Sequence, residues 1–496
     1  MKHNSIFTFY IHKKEEFSEF ISESIVFSQD VGNYVLRYDQ KTPIDSADKG
    51  NRELAIFGYA VDVFCGQSEN LAETVLESTE TLEDVIEYEK RLGGKYVVFY
   101  AENDRCYCIG DATCSIPVFY TKGLSGFICC SNPQMIIKST NIEPDKCLQK
   151  IRNSGPLNQA MPYDKTVYKE IRQLLPNHYL DFYEEKAKRF VNFEAKQKEI
   201  SPEKAAEITA PMIEKIASFY LSKFKIYCPL TSGRDSRVVY AFLKSMTNEV
   251  NSYTIWHDRF KNDDQDWEVP LRLTELCGTR HERIYKETVT EEMKANMDNA
   301  LGENAYPPDA FTLAVTVNKN YGGCATVEGD IIGQVGKCSL HRNIPCFLAT
   351  PAYFRCKLHN YSNEAKDELK EWLKEIKVSG EKVNTFDLFS VENRLGVWAS
   401  HTHLIRNVLG QLYLNIFNSR SIIYTWTAVD RAKRMKSQIH IALIRLKAPE
   451  LLGVPFEAEK KSFVVLAKSS APAFYFGSFA KYYIQKRAFQ KNNKHS

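Results

Sequence analysis

Two kinds of apolar run divide the chain. Up to about residue 190 the runs YVLRY, LAIFGYAVDVF, KYVVFYA, RCYCIGD, PVFYT and GFICCS are rich in β-branched and aromatic residues and are separated by turn formers. That pattern predicts short strands in antiparallel sheets. After the polar segment EEKAKRFVNFEAKQKEISPEK the character changes. KIYCPLTS, VNSYTIWH and HERIYKE read as strands, with DSRVVYAFLKSM and DWEVPLRLTELCG as helices between them. Strand and helix in alternation call for a parallel sheet with right-handed crossovers. The expected fold class is α/β and α+β. An antiparallel β-sandwich spans 1–195, and a parallel-sheet α/β domain with extra helices spans 200–485.

Composition narrows this picture slightly. The 496 residues exceed one ordinary core at about 150 residues per domain, so two domains are expected. A net charge of +3, from 65 basic and 62 acidic residues, gives no general electrostatic case for nucleic acid or membrane binding. The first residues, MKHNSIFTFYIHKKEEF, lack the apolar core of a signal peptide, and no apolar run approaches the roughly 18 residues of a membrane segment. A cytoplasmic protein is the expectation. Thirteen cysteines without paired CxxC spacing read as reduced, mostly buried thiols. The basic C-terminal stretch KYYIQKRAFQKNNKHS reads as a frayed, solvated tail, with contact to an acidic surface as the other reading.

The strand KIYCPL runs straight into TSGRDS and then into the helical pattern RVVYAFLKSM. The loop therefore lies between the carboxyl end of a strand and the start of a helix, where ligands bind. Small residues at Thr231, Ser232 and Gly233 allow backbone N–H groups to approach a phosphate. A carboxylate at Asp235 repels a bare phosphate and makes sense there with a bridging cation such as Mg2+. An ordinary Ser/Gly turn that caps a helix is the other reading of the same residues.

LTSGRDS resembles the LSGGxDS signature of asparagine-synthetase-like ATP pyrophosphatases, with Leu230, Gly233, Asp235 and Ser236 on matching positions. Thr231 stands where that family usually has serine, and Ser232 where it has glycine. Downstream, YTIWHD and LCGTRHERI resemble the family's second strand and following helix, where the strand end around Tyr253 to Trp256 holds the adenine. ATVEGDIIGQVG resembles the SGxGxDELFGG motif, which puts Gly329 and Asp330 on its Gly-Asp pair, with Asp330 as second magnesium ligand and Glu328 as an acidic catalytic residue. Ile331 replaces the motif's acidic residue. LYLNIFNSRSIIYTW resembles the family's RxPFLD segment, with Phe417 and Asn418 on its Phe and Leu-Asp positions. In EAEKKSF the spacing to Phe463 puts Lys460 on the catalytic-loop lysine, which stabilises developing charge. A Gly-Asp turn, a buried aromatic strand and a solvated Lys-Lys pair are the plain structural alternatives for Asp330, Trp256 and Lys460. His401, His403 and Arg394 read mainly as helix-surface residues.

The resemblance continues toward the N-terminus, where Gly94, Asp111, Pro117, Tyr120, Pro176 and His178 carry a match to the family's glutaminase domain, an Ntn-hydrolase fold. That glutaminase uses an N-terminal cysteine, and here Lys2 follows Met1, so a degenerate domain without glutamine hydrolysis is expected. The resemblance thus implies an ATP- and Mg2+-dependent ligase that adenylates a small-molecule carboxylate and passes it to ammonia or an amine. With the balanced charge and short apolar runs, no nucleic-acid partner and no membrane segment are expected, and a homodimer is left open. A non-catalytic scaffold of the same fold is the competing expectation.

Overall fold

Along Leu92–Glu102 the side chains alternate between two buried environments. Val97, Phe99 and Ala101 join Phe9, Ile11, Leu36, Phe57 and Leu180 between two sheets. Tyr96, Val98 and Tyr100 pack on the other side, under the helices Leu71–Ser78 and Leu82–Glu89. A strand covered on both faces has no polar side, which is why KYVVFYA reads as one continuous apolar run.

The computed structural model describes residues 5–15, 25–122, 124, 126–155, 161–192, 197–256, 264–302, 308–456 and 470–492. Met1 and Lys2, which carry the expectation of a missing glutaminase nucleophile, lie outside these residues. The strands of the first part are β1 (Phe9–Lys13), β2 (Ile25–Val31), β3 (Tyr34–Asp39), β4 (Ile44–Lys49), β5 (Arg52–Asp62) and β6 (Leu92–Glu102). They are followed by β7 (Arg105–Gly110), β8 (Phe119–Thr121), β9 (Ile128–Cys130), β10 (Ile171–Gln173), β11 (His178–Asp181) and β12 (Lys186–Arg189). They form two six-stranded sheets, ordered β10-β8-β9-β1-β3-β2 and β12-β11-β7-β6-β5-β4, and every pairing within them is antiparallel.

The second part holds a parallel sheet of β13 (Ile226–Pro229), β14 (Asn251–Trp256), β15 (Arg280–Tyr285), β16 (Ala325–Val327) and β17 (Leu412–Leu414), in the order β15-β14-β13-β16-β17. The chain moves outward from β13 through β14 to β15, then returns to the other side of β13 and continues outward. The strand order therefore reverses between β13 and β16, and the carboxyl ends of those two strands flank the crevice that such sheets offer to ligands. Helix Pro202–Lys223, capped by Ser201 on the Lys204 N–H, buries Ala206, Ala210, Ile213, Ala217 and Tyr220 in the same core as Val238, Val239 and Phe242 of helix Arg234–Met246. The expected fold class is the one observed.

The two parts meet along the segment that leaves β17. Asn418 donates its side-chain amide to the carbonyl of Gly94 (2.6 Å), and its own carbonyl accepts the Gly94 N–H (2.9 Å). Gly94 is required there: its φ is +130°, and a Cβ would lie 2.1 Å from the carbonyl oxygen of Tyr59. Two residues on, Arg420 is buried and donates to Glu89 (2.5 Å) and to the carbonyl of Gly110 (2.8 Å). Arg189 forms a second buried fork, with both oxygens of Glu392 at 2.6 and 2.8 Å, and the Trp372 indole N–H completes that carboxylate's shell.

The basic C-terminal stretch departs from its expectation. Most of it belongs to a helix, Ala471–Asn492, seated by aromatic contacts: Tyr475 stacks on Tyr353 (ring centroids 5.1 Å apart), and the Tyr482 hydroxyl donates to the carbonyl of Asn360. All thirteen cysteines are unpaired and most are buried, as expected.

Lys95 is buried at this junction with its ammonium on Asn407 Oδ1 (3.0 Å) and over the Phe7 ring (4.4 Å). Burial pushes its pKa down to about 7, against a partial upward pull from Asp111. A lysine depressed on folding is protonated in the unfolded chain but neutral in the folded one between about pH 7 and 10.5, so its contribution to stability rises with pH across that window. The stability of the wild type should rise relative to Lys95→Met by about 1.4 kcal/mol per pH unit there, as read from urea denaturation at several pH values.

Candidate functional site

The loop after β13 is stitched to β14 and closed on itself. The Leu230 N–H donates to the Tyr253 carbonyl (2.9 Å), and the Thr254 hydroxyl donates to the Leu230 carbonyl (2.8 Å). The Thr231 N–H donates to Ser236 Oγ (3.2 Å) and the Gly233 N–H to Thr231 Oγ1 (3.2 Å). Ser232 gives both its N–H (3.0 Å) and its hydroxyl (2.6 Å) to a carboxylate oxygen of Asp266. Asp266 lies in the first turn of helix Gln265–Cys277 and was not singled out by the sequence pattern. Gly233, extended, is the N-cap of helix Arg234–Met246 and provides no side-chain cap.

Asp235 sits in the first turn of that helix, where the helix dipole favours an anion. One carboxylate oxygen is 2.8 Å from Nε2 of His440, a fully buried residue of helix Gln438–Lys447, while 39% of the Asp235 side chain stays exposed. Burial pushes its pKa up, but the His440 hydrogen bond and the charges of His440, Lys337 and Arg234 outweigh that, so the carboxyl is held below its ordinary value.

The segment after β16 lies directly on Asp235. A Cβ on Gly329 would stand 2.9 Å from the Asp235 carbonyl oxygen, and one on Gly333 would stand 2.6 Å from a carboxylate oxygen of the same residue. The two motifs are thus in contact, and each glycine permits the approach. Beyond Asp330 the chain enters a π-helical turn, Ile332–Gly336, a form concentrated at functional sites. Ile331 and Ile332 fill the main core, which accounts for an apolar residue where the family motif is acidic.

Glu328 accepts from the Tyr413 hydroxyl (2.8 Å) and lies 3.5 Å from Arg406. Asp330 accepts from the Ile331 N–H (2.9 Å) and from the Asn415 amide. Burial, reinforced by the Glu328 charge, pushes Asp330 up to about 6 against the opposing pull of Arg406. Beside it a water-sized cavity of about 10 Å³ is lined by Lys95, Thr113 and Ser115 from the first part, and by His403, Asn415 and Asn418 from the second. His403 is buried rather than on a helix surface. It packs edge-on against Tyr413, and burial pushes its pKa well below the ordinary histidine value. Arg394 lies over the Trp398 ring at 3.5 Å.

Trp256 stands at the end of β14 with the Arg283 guanidinium 3.9 Å from its ring centroid, and the same guanidinium is 4.1 Å from Trp267. Lys460 lies outside the described residues. Phe456, the last described residue before it, packs under Arg234 and Arg237, and Arg237 holds the carbonyls of Leu451, Val454 and Pro455. His440, Asp266, Asn415 and Arg406 were missed by sequence reasoning. They come from distant helices and a strand end whose local patterns carry no sign of the loop they meet.

Among the described residues, no cluster of three or more His, Cys, Asp or Glu side chains forms a metal cage, and no helix is long and apolar enough to cross a membrane. No protein-family model matches the chain, and no curated protein matches it. Among solved structures, it is similar to the glutamine phosphoribosylpyrophosphate amidotransferase from B. subtilis complexed with ADP and GMP, at 10% identity and a TM-score of 0.24 over 60% of this chain. That match spans 65% of the amidotransferase, less than two thirds of its length. It is also similar to NMN synthetase from Francisella tularensis (14% identity, TM-score 0.19, 42% of this chain and 93% of that one). A further likeness is to the U34-tRNA thiolase NcsA from Methanococcus maripaludis (10% identity, TM-score 0.20, 54% of this chain and 89% of that one). At these scores the likenesses add nothing to the strand order and register described above.

Gly333 gives this geometry a direct check. Gly333→Ala should lower stability by about 1–3 kcal/mol in urea denaturation, because the methyl must push the Asp235 carboxylate off His440. The loss should shrink when Asp235 is itself alanine, since the clash is then gone.

Proposed function

We propose that this chain is an ATP-dependent carbon–nitrogen ligase of the asparagine-synthetase-like ATP pyrophosphatase class, with a glutaminase-like domain at 1–195 and a synthetase domain at 200–485. The observation that carries the reading is the contact between Asp235, in the first turn of the helix after β13, and the Gly329–Gly333 segment that follows β16, across the switch in strand order. A carboxylate oxygen of the substrate attacks the α-phosphorus of ATP, and the bond to the pyrophosphate breaks. Ammonia or an amine then attacks the acyl carbon and AMP leaves, without glutamine hydrolysis. The 230–236 loop and the N-terminus of helix Arg234–Met246 receive the pyrophosphate, Trp256 borders the adenine, and Lys460 and Glu328 act at the reacting carbonyl.

The donors fit Mg2+ in one way only. A cage made of protein alone is not present among the described residues, whereas one or two carboxylates shared with nucleotide phosphates suit this ion. Asp235, ionised and partly exposed, and Asp330 are the residues that would hold it. When bound, it neutralises phosphate charge.

One observation favours a second reading, a binding or scaffold protein. Asp266 occupies the Ser232 N–H and hydroxyl and sets a negative charge where a phosphate would bind. Isotope exchange between pyrophosphate and ATP, run over a panel of carboxylates, separates the two. The ligase reading expects exchange that falls at least about a hundredfold in Asp235→Ala. It also expects protection of the wild type against heat by MgATP, and tighter nucleotide binding in Asp266→Asn. No exchange, no protection and no gain in Asp266→Asn would leave the scaffold reading standing.

A further inference from the structure

Helix Ala471–Asn492 is apolar on two sides, and the fold covers one of them. Its inner side is seated by Tyr475 on Tyr353 and by Tyr482, whose ring meets Tyr361 edge-on. Its outer side carries Phe476 (69% exposed), Tyr483 (54%) and Ile484 (69%). These fall at i, i+7 and i+8, on one stripe of the helix. Arg487 and Lys491 continue the same stripe toward the C-terminal end, and Lys481 is exposed beside it. A surface helix usually turns polar residues outward, so large apolar side chains in a row on the water side mark a contact surface.

The charge of the helix is one-sided. Ala471–Asn492 contains Lys481, Lys486, Arg487 and Lys491 and no Asp or Glu, in a chain that is otherwise nearly balanced. Among the described residues none of these four forms an ion pair. Lys486 donates to the Tyr361 carbonyl, and Lys357, beneath the helix, donates to Ser478. The positive field extends into the body of the protein. Burial pushes Lys357 down to about 8, and Arg342 and Lys481 lower it further. His359 is depressed by burial and then by Lys481.

We propose that this helix lies along an anionic lipid surface. Phe476, Tyr483 and Ile484 enter the headgroup and acyl boundary, and Lys481, Arg487 and Lys491 pair with acidic headgroups. The exposed apolar side chains supply groups that enter the acyl boundary, the cations beside them complement acidic headgroups, and the helix is not apolar enough to span a bilayer. A nucleic acid would be held by the cations but has no use for an exposed Ile484, and a second copy would bring four like charges face to face. The proposal stands independently of the ligase reading.

Flotation of the full-length chain with phosphatidylcholine vesicles, with and without phosphatidylglycerol, tests it. Partition onto the acidic vesicles alone is expected, weakening as salt is raised. Lys481→Ala, Arg487→Ala and Lys491→Ala should each weaken it about fivefold. Phe476→Asp combined with Ile484→Asp should weaken it more than tenfold with the thermal unfolding midpoint unchanged, since both side chains are largely exposed. Three results would overturn it: no partition onto acidic vesicles, partition that ignores the apolar double substitution, or a wild-type dimer that Ile484→Asp dissociates. The last would give the stripe to a second copy of the chain.

Discussion

The six residues that follow β17 hold the molecule together by hydrogen bonds to buried and half-buried partners. Asn415 binds Asp330, Asn418 binds Gly94 and the Thr113 hydroxyl, and Arg420 binds Glu89 and the carbonyls of Gly110 and Asp111. Gly94, Thr113, Glu89, Gly110 and Asp111 are removed from water, so the loss of a bond to any of them leaves an unpaired donor or acceptor in the interior. The candidate site at Asp330 and the sheet packing at Gly94 therefore share one support, and neither can shift without the other. The Lys95 amine, donating to the Asn407 side chain, belongs to the same junction.

Local pattern carried much of the fold. β13, β14, β15 and the helices between them coincide with KIYCPL, VNSYTIWH, HERIYKE and their intervening runs, because a buried parallel strand and an amphipathic helix each mark every residue they contain. The antiparallel sheets before them were legible for the same reason. The loop at 230–236 was legible because a strand, small residues and a helix start are adjacent in sequence. His440 could not be read: it reaches Asp235 from 205 positions away, on a helix whose pattern is that of an ordinary core helix. The C-terminal helix is hidden in the sequence by its basic charge, whereas Tyr475 and Tyr482 decide that the segment packs.

The loop itself holds opposing forces. Three of its N–H groups are satisfied without a ligand, those of Thr231 and Gly233 by hydroxyls within the loop and that of Ser232 by Asp266. That arrangement keeps these three donors paired in water. It also means that an arriving anion competes with a carboxylate already in place. The same logic applies to Asp235, which His440 keeps ionised and oriented whether or not a cation is present.

The strand order has a consequence for how the chain reaches this state. β16 and β17 are neighbours in the sheet, yet the whole helical run from Val327 to Leu412 intervenes between them, and the Asn415–Arg420 segment then closes onto strands laid down three hundred residues earlier. Contacts of such long sequence separation form late, after the loop entropy between them has been met by local structure. During synthesis the first sheets must wait with Gly94, Glu89 and the carbonyl of Gly110 uncovered until the ribosome has released residue 420. Nascent chains therefore hold the polar groups at Gly94 and Glu89 without their native partners until the Asn415–Arg420 segment has emerged.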